Sequence, residues 1–123
     1  MYTISKEFEF HAAHFLPLHD GKCRSPHGHS YKAIIICKSP SLIEDGPKTG
    51  MVQDYYDISQ AVKPIIEQYL DHHDINETTG LQPTTSENLS KWLFDKLQPS
   101  LPFLAAVIIK ETESSSCKYE PEL

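Results

Sequence analysis

The sequence predicts an α+β domain whose elements run strand, strand, helix, helix, strand, strand. Residues 2–14 alternate with a period of two, whereas two later stretches repeat apolar residues at spacings of three and four. An apolar run over residues 104–112 then restores strand character. With short links inside each strand pair, the economical packing is an antiparallel four-stranded sheet carrying both helices on one face. A chain of 123 residues fits one domain, 1–123.

Each element has its own signal. In the first strand Ile4, Phe8, Phe10 and Ala12 fall on even positions, opposite Thr3, Ser5, Glu7 and Glu9. Pro17, Gly21 and Pro26 punctuate the following loop. Residues 29–38 are rich in β-branched side chains and read as the second strand. Residues 39–50 hold two Pro and two Gly and read as a loop. Ile58, Ala61, Val62, Ile65, Ile66, Tyr69 and Leu70 then make one apolar helix face, with Asp54 or Asp57 as its cap and Pro64 as an expected kink. Thr84 and Glu87 have capping-box spacing ahead of a second stripe, Leu89, Trp92, Leu93 and Leu97. The last strand is expected near residues 116–120, after the turn ESSS.

A net charge of −6 argues against a nucleic-acid surface but leaves room for a local basic pocket. The longest apolar runs, AIIIC and LAAVII, fall far short of a bilayer span, so no membrane association is expected. MYTISKEFEF shows no basic-then-apolar leader, and the expected compartment is the cytoplasm. Three cysteines without a CxxC pair argue against a disulfide framework. A domain this small gains from burial between subunits, so a homo-oligomer is expected.

The chemistry concentrates in CRSPHGHSY, residues 23–31. On an extended chain His27 and His29 project to the same side, and Gly28 lets the backbone bend close between them. His14 ends the first strand on its even, apolar face and meets that pair if the two strands form a hairpin. Three neutral imidazoles with a fourth position free are the donor set of a catalytic Zn²⁺ site. Cys23, flanked by Lys22 and Arg24, is either a fourth ligand closing a structural zinc module or a free thiolate base. Cys37 reads as a core residue; Cys117 has no assigned role. In LDHHD, residues 70–74, a carboxylate beside a histidine suits general acid–base work, yet such groups are also ordinary at a helix end. Glu111 extends an apolar strand and could pair with two adjacent N–H groups of a flat heterocycle. Alternation does not settle which face of that strand is inner.

FEFHAAHFL, C-x3-HGHSY, LDHHD, PTTSENLSKW and IKET, in that order and spacing, resemble the 6-pyruvoyltetrahydropterin synthase family, nearest its bacterial 6-carboxytetrahydropterin branch of queuosine precursor biosynthesis. The resemblance implies a T-fold, assembled as a hexamer of two stacked trimers with active sites at subunit boundaries. It implies zinc on His14, His27 and His29, and Cys23 as catalytic residue. It also implies Asp71 and His72 delivered by a neighbouring subunit, and Glu111 as pterin anchor and catalytic residue. The implied substrate is 7,8-dihydroneopterin triphosphate, converted by a zinc-dependent lyase to 6-carboxy-5,6,7,8-tetrahydropterin with loss of acetaldehyde and triphosphate. A 6-pyruvoyl product is the alternative. Lys22 or Lys48 could take the triphosphate. His73 competes with His72 for the acid–base role, and His11 is a proton relay, a competing ligand or an exposed residue.

Overall fold

The structure is a computed structural model, and it describes residues 1–122. Strand β1 (Tyr2–His14) and strand β2 (His27–Ser39) form one long antiparallel hairpin, in register from Tyr2 opposite Ser39 to His14 opposite His27. Strands β3 (Leu104–Thr112) and β4 (Ser115–Tyr119) complete an antiparallel sheet in the order β1-β2-β3-β4. The second strand starts two residues earlier than its β-branched run, because His27 and Gly28 still pair with the end of β1.

Even positions of β1 and odd positions of β2 face the same way, so Phe8, Phe10, Tyr31, Ala33 and Ile35 are buried together. Val107 and Ile109 join them from β3, which makes the odd face of that strand the inner one. Above this layer lie helix α1 (Tyr55–Ile65) and helix α3 (Ser86–Leu97), which contribute Ile58, Val62, Leu89, Leu93 and Leu97. Each such fully buried apolar side chain stabilises the fold by roughly 1.5–3 kcal/mol before entropy is counted.

Asp54 caps α1 by accepting from the Tyr56 amide. Pro64 lacks the amide proton an α-helix uses, yet the helix neither stops nor turns to loop. It widens into a π-helical stretch, Ile66–Leu70, where the Asp71 amide donates to the Ile66 carbonyl. A short helix α2 (Ile75–Thr79) follows, capped by Asp74 and ended by Gly80 in a left-handed conformation. Five residues are too few to show a period, so the sequence pattern does not reveal it.

The cap of α3 needs correcting by one residue. Thr85, not Thr84, accepts from the Asn88 amide, so the Thr84–Glu87 capping box does not form. Thr84 is buried and turns toward His14 instead. Among the described residues, no helix is long and apolar enough to cross a membrane.

Candidate metal centre

The hairpin brings the three predicted histidines together at the end closed by the loop of residues 15–26. His14 faces His27 across the ladder, and His29 lies two residues further along the same face. One nitrogen of each imidazole lies within 4.8 Å of the other two. Cys23 is outside this group; it sits half-buried on a one-turn 3₁₀ helix, Lys22–Arg24, just ahead of β2. Its carbonyl accepts from the Leu16 amide at 2.7 Å, which ties the turn to the chain beyond β1.

Hydrogen bonds decide which nitrogens are free. Nδ1 of His14 is 2.9 Å from the Thr84 carbonyl, and Nδ1 of His27 is 2.8 Å from the Ser25 carbonyl. A carbonyl can only accept, so both Nδ1 atoms carry the proton and both Nε2 atoms present lone pairs. Nε2 of His14, His27 and His29 are all buried without a hydrogen-bond partner. Burial is the first cause that holds His29 below the ordinary imidazole value, reinforced by its two imidazole neighbours and opposed by Glu111. Three unpartnered ring nitrogens gathered in a partly buried place cost stability unless a cation meets them. The donor set fits a Zn²⁺ ion with a position left for substrate.

Glu111 completes the picture. Its position on the inner face of β3 carries Oε1 to 3.1 Å from His14 Nε2 and 3.4 Å from His29 Nε2. Contact with His14 is the main reason its carboxyl sits below the usual range, against the opposing effect of burial.

The acid–base pair is held elsewhere. Asp71 Oδ2 lies 2.9 Å from His72 Nδ1, and Asp71 Oδ1 accepts from the His11 amide at 2.9 Å. The His72 amide donates to the His11 carbonyl at 2.6 Å, and the Ala13 amide to the His73 carbonyl at 3.0 Å. Residues 71–74 therefore run along the free edge of β1 at its His11–Ala13 end. His72 is the one non-glycine residue with a positive φ, 60°, among those described. Its ring lies 6.1 Å from that of His11, on the face of β1 opposite His14. His73 donates instead to the Glu67 carbonyl at 3.1 Å. Of the two candidates, His72 is thus the histidine joined to the aspartate.

With this geometry in place, comparison with known proteins decides the family. The 6-pyruvoyl tetrahydropterin synthase family model matches residues 3–122. The chain belongs to this family. It is 41% identical over 120 residues to the 6-carboxy-5,6,7,8-tetrahydropterin synthase of Synechocystis, covering 97% of this chain and 93% of that protein. It is 32% identical over 109 residues to the human 6-pyruvoyl tetrahydrobiopterin synthase, covering 83% of this chain and 72% of that one. Its fold superposes on the Caenorhabditis elegans 6-pyruvoyl tetrahydropterin synthase with a TM-score of 0.83 at 26% identity, covering 98% and 96% of the two chains. The protein is accordingly a pterin-synthase-family lyase with a T-fold-like architecture and a histidine site able to hold a metal ion.

Sequence reasoning missed three residues at the pterin synthase site. Thr84 and Asn76 buttress His14, the first through a signal misread as a helix cap. Tyr31 is buried beneath the imidazoles, its ring 5.4 Å from that of His29 and stacked 4.9 Å from Phe10. Its phenol has no hydrogen-bond partner, and burial drives its pKa far up. The β-branched content that marked this strand said nothing of which face Tyr31 takes or of its hydroxyl. Cys37, by contrast, is the inert core thiol expected, its pKa pushed by burial to about 11. The Lys48 ammonium is paired with Asp54 and Asp57.

Proposed function

We propose that this protein is a zinc-dependent lyase converting 7,8-dihydroneopterin triphosphate and water into 6-carboxy-5,6,7,8-tetrahydropterin, acetaldehyde and triphosphate, in queuosine precursor biosynthesis. The observation that carries the reading is the convergence of three imidazoles, one nitrogen of each within 4.8 Å of the others, beside Glu111. The 41% identity to a 6-carboxy-5,6,7,8-tetrahydropterin synthase over nearly the whole chain supports the carboxy product. The alternative product is the 6-pyruvoyl compound, supported by the likeness to the human enzyme.

His14, His27 and His29 would hold the zinc, which supplies a Lewis acid beside the substrate's side-chain hydroxyls. Glu111 accepts paired N–H bonds from the pterin and keeps the reacting carbon next to the metal centre. Cys23 as thiolate removes the proton from the side-chain carbon adjoining the ring. His72, oriented by its bond to Asp71, returns protons as the side chain rearranges and triphosphate leaves. Within one protomer this pair faces away from the histidine cluster, which supports its delivery to the site of a neighbouring subunit in a hexamer of two stacked trimers. Lys22, on the turn beside Cys23, is a basic residue suited to the triphosphate.

The test is metal analysis of the purified protein with a turnover assay on 7,8-dihydroneopterin triphosphate, products identified by mass. Acetaldehyde with the carboxy pterin supports the proposal, whereas a pyruvoyl product without acetaldehyde selects the alternative. Cys23→Ala distinguishes the enzyme from a structural zinc module. As an enzyme it keeps metal and fold and loses turnover by on the order of 10²–10⁴; as a module it loses zinc and fold together.

A further inference from the structure

We infer that Thr84 and Asn76 are positioning residues that fix which nitrogen of His14 is free to bind the metal. The inference rests on the metal-site reading above and extends it to residues that never touch the ion. His14 and Thr84 are each 1% exposed, so neither can exchange its partners for water. Nδ1 of His14 lies 2.9 Å from the Thr84 carbonyl and 3.2 Å from the Thr84 hydroxyl.

The carbonyl claims the Nδ1 proton, but a hydroxyl can face the ring either way. As a donor it would favour the other tautomer, with the proton on Nε2 and the metal-binding lone pair gone. Asn76 removes that choice. Thr84 Oγ1 donates to Asn76 Oδ1 at 3.1 Å, so the hydroxyl turns a lone pair toward His14.

The amide of Asn76 is itself fixed in orientation. Its Oδ1 accepts from the Phe15 amide at 2.9 Å, and its Nδ2 donates to the Phe15 carbonyl at 2.8 Å. Flipping the amide would set donor against donor and acceptor against acceptor. Asp74, the cap of α2, holds the Asn76 backbone by accepting from its amide at 3.1 Å. A closed loop results: the backbone next to His14 orients Asn76, Asn76 orients Thr84, and Thr84 orients the ring of His14. Partners of metal-binding histidines commonly change metal affinity by 10–100-fold when removed.

The experiment compares metal-free wild type with Thr84→Val, Thr84→Ser and Asn76→Ala. Zinc affinity is read by competition with a chromophoric chelator, and site geometry from the visible spectrum of the cobalt(II) form. The His14 tautomer is read in metal-free wild type from ring ¹⁵N shifts. Asn76→Ala, which frees the Thr84 hydroxyl to donate to Nδ1, is expected to weaken zinc binding by about tenfold or more. Thr84→Val removes that competing donor and keeps the carbonyl, so it and Thr84→Ser are expected to stay within roughly threefold of wild type. His14 is expected to carry its proton on Nδ1. Wild-type affinity in Asn76→Ala, or a proton absent from Nδ1, overturns the inference. If Asn76→Ala does not fold, the wild-type ring spectrum decides alone. A wild type that takes up neither zinc nor cobalt overturns the metal reading itself, and this inference with it.

Discussion

Oε1 of Glu111 stands 3.1 Å from Nε2 of His14, on a ring whose Nδ1 faces the Thr84 carbonyl. A carboxylate this close to that nitrogen calls for a proton or a metal cation between them. Zinc should therefore stabilise the fold, not merely activate it. At a free zinc concentration of 100 times Kd the expected gain is about 2.7 kcal/mol. Chemical denaturation with and without the ion measures it, and an unchanged midpoint would contradict the site.

The left-handed backbone at His72 makes a second prediction. A side chain with a Cβ pays roughly 1–2 kcal/mol in that region, and glycine does not. His72 is kept there by its amide bond to His11 and its ring bond to Asp71. His72→Gly should be more stable than His72→Ala by about 1 kcal/mol, with both lacking turnover. Equal stability would mean that residue 72 is free to adopt another conformation in solution.

Asp71 gives a pH dependence whose sign is fixed by its partners. The His11 amide, and then the His72 ring, hold its carboxyl below the ordinary value of 3.8. A depressed acid contributes stability above its unfolded value and loses it as pH falls through its folded value. Asp71→Asn should thus destabilise the metal-free protein at pH 7 and differ from wild type progressively less below about 3.8. Urea midpoints from pH 7 to pH 3 test this, and a gap that widens with acid would refute it.

These residues also mark how far the sequence could be read. The period-two pattern of β1 located the end of the strand at His14, and the HGH spacing supplied its two companions, because alternation is enforced by burial of one sheet face. Tertiary geometry decided the rest. Whether Glu111 faced inward could not be told from a strand apolar on both faces; packing of Val107 and Ile109 against the helices settled it. Thr84 was misassigned because a buried ring competed for it and left the cap to Thr85. Apart from the Asp71 carboxylate, the docking of residues 71–74 on the edge of β1 is made by backbone groups, which carry no sequence signature.

That docking turns the shared-site proposal into a quantitative test. If Cys23 of one subunit works with Asp71 and His72 of another, neither variant alone retains a complete site. In oligomers formed by random exchange of equal amounts of Cys23→Ala and His72→Ala subunits, a site is complete only when its thiol comes from the second variant and its imidazole from the first. That combination arises in about one quarter of sites, so roughly a quarter of wild-type turnover should return on mixing. Sites built within single protomers return none, because every site then lacks one of the two groups. Native mass spectrometry confirms exchange independently of activity, so mixed oligomers without recovered turnover would place both groups on the same chain.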